Sequence, residues 1–205
     1  MDHRVIRLQK YLLAEKHHVF RRKVDWHLAA NGTPPVFRRA IAMEKVLAAE
    51  TPCFLPDKRI AGLRTVANLP MLFTDEEWAA MRKAHSFSEQ GIPFNFTPDY
   101  PTVIASGLVG VRKNAAARLE QCREEGDAAG AQFLHAGIQS IDAVLAFAEK
   151  YRQAAEANGL TEIAATLAQV PRHGAKTLLE AMQSFRILHY ALWCEGEIPQ
   201  RRRTT

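Results

Sequence analysis

Apolar residues recur along this chain at intervals of three and four positions, and short stretches rich in proline, glycine and polar residues separate the repeats. This period is typical of amphipathic α-helices. It predicts a first helix from Asp2 to about Val19 with a basic polar face. It also predicts six further helices: Val36 to about Glu50, Asp75 to about Ala84, Thr102 to about Glu125, Ala131 to Ala157, a short helix capped by Thr161 and ended by Pro171, and Leu178 to about Trp193.

Two of these helices begin with the sequence of a capping box, in which a Thr is followed three positions later by a Glu. The pairs are Thr74 with Glu77, and Thr177 with Glu180. In such a box the hydroxyl accepts from the backbone of the Glu, and the carboxylate accepts from the backbone of the Thr. We therefore expect well-defined helix starts at both places.

Two glycines interrupt the helix predicted from Thr102, at Gly107 and Gly110. A glycine inside a helix costs about 1 kcal/mol relative to alanine, so these positions indicate that another backbone approaches closely. The last predicted helix is apolar on most faces, which predicts that it is buried in something larger. His189 lies in that helix, and we expect it to be a hydrogen-bonded core residue.

The stretches between the helices differ in character. Residues 54–70 predict a loop with at most a short strand, and residues 86–101 predict a long loop rich in glycine, proline and aromatic residues. The second loop carries the polar residues Asn95, Thr97 and Asp99 among its aromatics. Such loops serve as aromatic-anchored structural segments or carry function. The fold class that follows is mainly α, with at most one or two short strands.

Composition narrows the class of protein. The chain has 205 residues, of which 47% are hydrophobic and 24% charged, enough for one domain with a real core. Its net charge is +5, but Arg201, Arg202 and Arg203 supply three of these charges, so the body carries only +2 and a nucleic-acid partner is not expected. The chain has neither a signal peptide nor an apolar run of about 20 residues, which favours a cytoplasmic protein without a membrane partner.

The residues that could carry chemistry show no arrangement that metal binding or nucleophilic catalysis requires. Cys53, Cys122 and Cys194 are odd in number and widely spaced, which disfavours disulfides and a zinc site. We interpret Cys122 and Cys194 as structural thiols, because Cys122 lies in a polar helix end and the Glu195 carboxylate beside Cys194 disfavours the reactive thiolate. The histidines lack the spacing of a metal motif. The sequence therefore predicts no metal ligands and no catalytic residues within this chain.

Several motifs resemble, in order, those of one enzyme family. They are PVFRRAIAMEKVLAAETP, RIAGLRT followed by LPMLFTDEEW, TPDYPTVIASGLVGV, and AQVPRHGAKTLLEAMQSF with the later EGE. The set resembles the N-terminal half of glycyl radical enzymes, the superfamily of pyruvate formate-lyase and the diol dehydratases. The resemblance runs from about Pro35 to Glu197. It implies one N-terminal pyruvate formate-lyase-like domain over residues 1–197, followed by a basic tail over 198–205 that does not resemble the family.

The resemblance implies a largely helical region that precedes a ten-stranded α/β barrel. In the family, a partner enzyme that uses S-adenosylmethionine and an iron-sulfur cluster installs a glycyl radical, which oxidises a barrel cysteine. Neither the cysteine loop nor the glycine loop has a counterpart in this chain. We therefore expect a truncated or split glycyl radical enzyme of the formate acetyltransferase or dehydratase-lyase type, inactive alone and without a cofactor of its own.

The same resemblance suggests the partners: the remaining portion of a split enzyme or a second copy in a homodimer, and the radical-activating enzyme. Asn95, Thr97 and Asp99 are the predicted substrate-binding residues, because polar groups among aromatics on a long loop suit small polar substrates. The alternative is a free-standing helical module that binds a partner protein through its apolar last helix. A basic nucleic-acid binder is a third hypothesis, and it predicts a steep salt dependence.

Overall fold

The computed structural model describes residues 3–14, 22–26, 33–85 and 98–195. Within these ranges the chain forms seven helices and no strand, apart from one isolated parallel bridge between Arg22 and Val66. The helices are α1 (His3–Leu13), α2 (Pro35–Ala49), α3 (Asp75–Lys83), α4 (Tyr100–Glu124), α5 (Ala128–Ala157), α6 (Thr161–Gln169) and α7 (Leu178–Glu195). The prediction of a mainly α fold is confirmed.

Side-chain caps decide where several helices begin. Asp99 accepts a hydrogen bond from the backbone of Thr102, so α4 begins at Tyr100, two residues earlier than predicted. Asp127 caps α5 in the same way, and this helix begins three residues before the predicted Ala131. Both differences have one cause: an Asp one position ahead of a helix satisfies a backbone N–H that otherwise has no partner.

The end of α1, the end of α5 and the start of α6 can also be compared with what the sequence predicts. The first helix ends at Leu13, and the rest of its predicted length, residues 15–19, lies outside the described part of the chain. Gly159 adopts a φ of 68° after the end of α5, the left-handed conformation in which a glycine commonly ends a helix. Thr161 is not a cap, because it is the first residue of α6 and the capping position belongs to Leu160, which makes no side-chain bond.

Both predicted capping boxes are confirmed. Thr74 and Glu77 bond reciprocally at the start of α3. The Thr177 hydroxyl accepts from the backbone of Glu180 at 3.2 Å, and the Glu180 carboxylate accepts from the backbone of Thr177 at 3.1 Å. Each box satisfies backbone groups that the first turn of a helix leaves open.

The long helix α5 is the centre of the fold, and α2, α4, α6 and α7 all pack against it. Small residues on α5, among them Ala143 and Ala155, let the neighbouring helices approach closely. Phe147 stacks on Tyr190 of α7 with ring centroids 5.2 Å apart. The main buried cluster therefore lies along α5 and includes side chains of α2, α4, α6 and α7.

The small helix α3 is attached through Arg38 of α2. This guanidinium donates to the Glu77 carboxylate at 2.7 Å, to the Thr33 carbonyl at 2.7 Å and to the Leu72 carbonyl at 3.2 Å. The Arg38 side chain is only 9% exposed, so these bonds replace water around a buried charge. None of the helices in the described ranges has the length and apolar character that crossing a bilayer requires.

Candidate functional site

The predicted substrate-binding residues fall at the edge of the described structure. Asn95 and Thr97 lie outside the described residues. Asp99 is described: it lies exposed just before α4, and its Oδ1 accepts from the Thr102 backbone at 3.1 Å. Hydrogen bonds from Thr102 lower the pKa of the Asp99 carboxyl. One oxygen of Asp99 therefore caps a helix, and its role toward a substrate remains a prediction.

An aromatic row starts next to Asp99 and runs onto α7. The Tyr100 ring contacts Phe185 with centroids 4.7 Å apart, and Phe185 stacks on His189 at 5.7 Å. Burial raises the pKa of the Tyr100 hydroxyl. His189 is exposed, so the prediction of a core histidine is wrong. The reason is that α7 buries only one of its faces, and His189 lies on the other.

The exposed face of α7 is largely apolar. Leu178 is 79% exposed, Met182 is 49% exposed and Phe185 is 44% exposed. These residues and His189 are spaced by three and four positions, so they form one stripe along the helix. We call this stripe with Tyr100 the α7 face. An exposed apolar stripe of this size is typical of a surface that contacts more protein or a ligand.

A kink in α4 fixes the position of Tyr100 and Asp99 relative to α7. Gly107 has a φ of 74°, and a Cβ at this position would lie 2.5 Å from the backbone of His173. The interruption turns backbone donors toward a neighbouring loop: Leu108 donates to the Pro171 carbonyl at 2.8 Å. The prediction of a close backbone approach is thus confirmed at Gly107. At Gly110 a Cβ would meet only the Ser106 side chain, so the prediction is wrong there.

The loop between α6 and α7 also donates a backbone hydrogen bond to α4. Ala175 donates to the Ile104 carbonyl at 2.8 Å, and Gln169 donates to the Gly174 carbonyl at 2.7 Å. A Cβ on Gly174 would lie 2.0 Å from the Ala105 carbonyl oxygen. The first turns of α4 and the start of α7 therefore form one interlocked unit, which carries the α7 face.

Polar side chains of α7 and α5 hold an irregular segment, residues 61–66, by hydrogen bonds on the side of α7 opposite the α7 face. The Gln183 amide accepts from the Ala61 N–H at 2.7 Å and donates to the Ala61 carbonyl at 3.2 Å. Arg186 donates to the Gly62 carbonyl at 2.7 Å, and Tyr151 bonds both backbone groups of Leu63. These side chains supply the hydrogen bonds that a strand partner supplies elsewhere.

Glu50, at the end of α2, binds the last residues of the same irregular segment. Its carboxylate is 1% exposed, and it accepts from the backbone of Thr65 at 2.6 Å, from the Thr65 hydroxyl, from the backbone of Val66 at 3.1 Å and from the Tyr190 hydroxyl. Burial and this carboxylate raise the pKa of the Cys53 thiol. Burial and the charge of Arg186 lower the pKa of Lys58.

Glu50, Gln183 and Tyr190 are not among the residues predicted from the sequence to have a special role. Nothing local marks them, since each occupies an ordinary helical position and its partner is distant in sequence. Cys122 is buried, in keeping with a structural thiol. Across the described ranges, no three His, Cys, Asp or Glu side chains lie close enough together to hold a metal ion. The described part of the candidate site is thus the helix-capping carboxylate of Asp99 beside the aromatic and apolar α7 face.

Comparison with known proteins identifies a family for this chain. The family model described as pyruvate formate lyase-like matches residues 71–200, more than half of the chain. This range begins before α3 and includes α4, α5, α6 and α7, and so contains both Asp99 and the α7 face. Comparison with curated proteins gave no match.

The solved structures with a similar fold include three from different organisms. They are the glycerol-bound form of a B12-independent glycerol dehydratase from Clostridium butyricum (TM-score 0.66, 19% identity), a structure on 1,2-propanediol dehydration in Roseburia inulinivorans (0.61, 23%), and a glycyl radical enzyme from Archaeoglobus fulgidus (0.58, 20%). Each alignment covers 81% of this chain and 30% of the other. The 205 residues thus span about 30% of these proteins, and at this identity the likeness concerns the fold.

Proposed function

The chain belongs to the pyruvate formate lyase-like family, and from that premise we propose that it forms the helical part of a glycyl radical enzyme of the lyase type. In this proposal the α7 face and the start of α4 form one wall of the space that receives the substrate. One observation carries it: α7 is buried on one side by specific polar contacts, while its other side leaves Leu178, Met182 and Phe185 in solvent. A surface held so firmly and left apolar suits one wall of an enclosed space whose other walls come from further protein of the same enzyme.

The role of this chain in the reaction is binding and orientation. The family's radical chemistry supplies hydrogen abstraction from the substrate by a cysteine that a glycyl radical has oxidised. None of the motifs for those two residues occurs in these 205 residues, so the proposal assigns both to another segment. Asn95, Thr97 and Asp99 orient a small polar substrate by hydrogen bonds. The reaction takes place in the cytoplasm under anaerobic conditions, with an S-adenosylmethionine-dependent activating enzyme as partner.

A radical assay tests the proposal directly. The purified 205-residue chain is incubated without oxygen with a glycyl-radical-activating enzyme, S-adenosylmethionine and a reductant. Glycerol, propane-1,2-diol, and pyruvate with coenzyme A are then offered as substrates. We expect no glycyl radical signal in electron paramagnetic resonance and no product. Turnover of any of these substrates by the chain alone would overturn the proposal.

A second measurement tests the surface that carries the proposal. We expect a dye that fluoresces on exposed apolar surface to bind the purified chain, and a variant with Leu178→Ser, Met182→Ser and Phe185→Ser to bind much less dye. The matched control is Phe133→Ser on α5, which is 68% exposed but lies away from the α7 face. A compact chain that does not bind the dye would favour the alternative, a free-standing interaction module.

A further inference from the structure

The helix α1 leaves apolar side chains open to solvent. Val5 is 54% exposed, Ile6 is 39% exposed and Leu13 is 73% exposed. Ile6 and Leu13 are seven positions apart, about two helical turns, so they lie on the same side of the helix. Leu8 and Tyr11, in contrast, are half-buried. The helix therefore packs through one part of its apolar surface and exposes another. We call the exposed residues Val5, Ile6 and Leu13 the α1 stripe.

The described contacts of α1 leave the α1 stripe uncovered. Arg7 forms an ion pair with Asp57, but Arg7 lies about 100° around the helix from Ile6. Gln9, between the members of the stripe, is exposed as well. In the described ranges no other helix packs against α1. The stripe is thus open to a surface outside the described chain.

Positive charge is concentrated in the part of the sequence that contains α1. Residues 1–24 contain seven Lys and Arg against two Asp and Glu, a net charge of +5. Residues 25–200 contain 17 Lys and Arg against 20 Asp and Glu, a net charge of −3. The remaining positive charge belongs to the three terminal arginines. Such an asymmetry is typical of a segment that contacts an anionic partner.

The described carboxylates near α1 do not cancel its charge. Asp57 is paired with Arg7, and Glu162 accepts from Arg59 at 2.9 Å. The hydrogen bond from Arg59 lowers the pKa of the Glu162 carboxyl, and the charge of Arg4 adds to this effect, so Arg4 lies near this pair. Three arginines thus face two carboxylates here, before the lysine of α1 is counted.

An apolar stripe bordered by a cation suits an anionic lipid surface. Lys10 lies four positions after Ile6, about one helical turn, so it borders the α1 stripe. Basic amphipathic helices lie in the plane of the membrane interface, with apolar side chains at the boundary of headgroups and acyl chains and cations near the lipid phosphates. Nucleic acid also attracts cations, but it would leave the apolar side chains in water. Association of this kind requires no helix that crosses the bilayer.

We propose that α1 binds the surface of a bilayer that contains anionic lipids. The α1 stripe inserts at the level of the headgroups, and Lys10 contacts the lipid phosphates. The cytoplasmic leaflet of a membrane carries anionic lipids and is compatible with a reaction in the cytoplasm. This association goes beyond the proposed function and does not depend on it, because it involves neither a radical nor a substrate.

The test is cosedimentation of the full 205-residue chain with lipid vesicles. One set of vesicles is pure phosphatidylcholine, and the other contains equal parts of phosphatidylcholine and phosphatidylglycerol. We expect binding to the anionic vesicles and much weaker binding to the neutral ones. Lys10→Glu and Leu13→Asp should each weaken binding to the anionic vesicles by about tenfold or more in Kd, since one removes a cation and the other an inserted side chain. Circular dichroism checks that each variant keeps its helical content.

Two matched controls lie away from α1. Lys113→Glu makes the same change as Lys10→Glu at an exposed position of α4. Phe133→Asp replaces an apolar side chain that is 68% exposed. Phe133 lies 24 positions before the end of α5 at Ala157, which is about 36 Å along the helix. Both control variants should bind the anionic vesicles as the wild type does.

The terminal arginines also attract anionic vesicles, so their contribution is measured separately. A variant with Arg201→Gln, Arg202→Gln and Arg203→Gln should keep most of the binding, and loss of binding in this variant would overturn the proposal. So would a chain that binds neither kind of vesicle or binds both equally.

The variant Leu13→Asp decides between a lipid surface and a purely electrostatic partner such as nucleic acid. If it bound the anionic vesicles as tightly as the wild type, no apolar side chain would be inserted and the proposal would be wrong. Each result is read without any activity assay, so failure here is distinct from failure of the proposed function.

Discussion

The hydroxyl of Tyr190 donates a hydrogen bond to the carboxylate of Glu50, a residue 140 positions earlier in the chain. Both side chains are buried, at 4% and 1% exposure. The same carboxylate accepts from Thr65 and Val66, so one buried charge joins the end of α2, an irregular segment and α7. A buried carboxylate is stable only where hydrogen bonds replace its water, and this one has four such donors.

Replacement of that carboxylate should destabilise the fold. Glu50→Gln places an amide N–H against N–H and O–H donors, and leaving such groups unsatisfied costs about 1–3 kcal/mol in the free energy of unfolding. Urea denaturation followed by circular dichroism measures the change. The control Glu124→Gln at an exposed position should stay within about 0.5 kcal/mol of the wild type. Equal stability of the two variants would contradict the role assigned to Glu50.

A methyl group at the kink of α4 should have a large effect. Gly107→Ala places a Cβ 2.5 Å from the backbone of His173 at a φ of 74°, so both the conformation and the contact become unfavourable. We expect a loss of about 3 kcal/mol or more in the free energy of unfolding. Gly137→Ala in α5 is the matched control: nothing lies within 4 Å of its Cβ, and it should stabilise the helix by up to about 1 kcal/mol. A neutral Gly107→Ala would show that the close approach is not maintained.

The two hydrogen bonds between Gln183 and Ala61 predict that a change of one side-chain atom at position 183 destabilises the fold. Gln183→Glu keeps the size of the side chain but sets a carboxylate oxygen against the Ala61 carbonyl, which costs about 1–3 kcal/mol or more at neutral pH. Thermal denaturation measures the shift in Tm. Gln132→Glu, the same change at an exposed position of α5, provides the baseline. Similar Tm values of the two variants would show that the hydrogen bonds between Gln183 and Ala61 do not stabilise the fold.

The ion pair of Glu149 with Arg152 predicts a pH dependence of stability. The guanidinium donates to both carboxylate oxygens, at 2.8 and 2.7 Å, and lowers the pKa of Glu149 to about 2. Because the folded pKa is below the unfolded value of about 4.3, the contribution is fully present above that value and is lost as the pH falls toward 2. The difference in Tm between the wild type and Glu149→Gln should therefore narrow from pH 5 to pH 2. A difference that is constant over this range would contradict the assignment.

Substitutions can separate the predicted substrate-binding role of Asp99 from its role as a helix cap. Asp99→Ala removes the cap of α4 and should cost about 1 kcal/mol in stability, whereas Asp99→Asn keeps an oxygen that accepts from Thr102. In an active assembly that contains this chain, we expect Asn95→Ala, Thr97→Ala and Asp99→Asn each to lower kcat/KM by about tenfold, since each removes an orienting contact. Asn114→Ala, at an exposed position of α4, is the control. Unchanged kcat/KM in all three variants would remove these residues from the site.

Local signals in the sequence were sufficient for most of the fold. The capping boxes at Thr74 and Thr177 require only a Glu three residues later, so both were predictable. Gly107 indicated a close approach because a glycine is otherwise unfavourable inside a helix. The family followed from the order of the motifs, and the matched range of 71–200 confirms it. Asn95, Thr97 and Asp99 stay predictions as substrate-binding residues.

Which faces the helices bury and which they expose depends on packing between distant segments. The period of α7 marks it as apolar nearly all round, but only packing against α5 and residues 61–66 selects the buried side, which is why His189 is exposed and the prediction for it failed. Gln183 and Ala61 are 122 positions apart, a separation over which no local pattern relates two residues. A short-range signal reports the conformation of one turn, whereas a buried hydrogen bond depends on how distant segments come together. Local sequence patterns are therefore sufficient for the helices and the family, whereas the hydrogen bonds around Glu50 and the exposure of the α7 face depend on the folded chain.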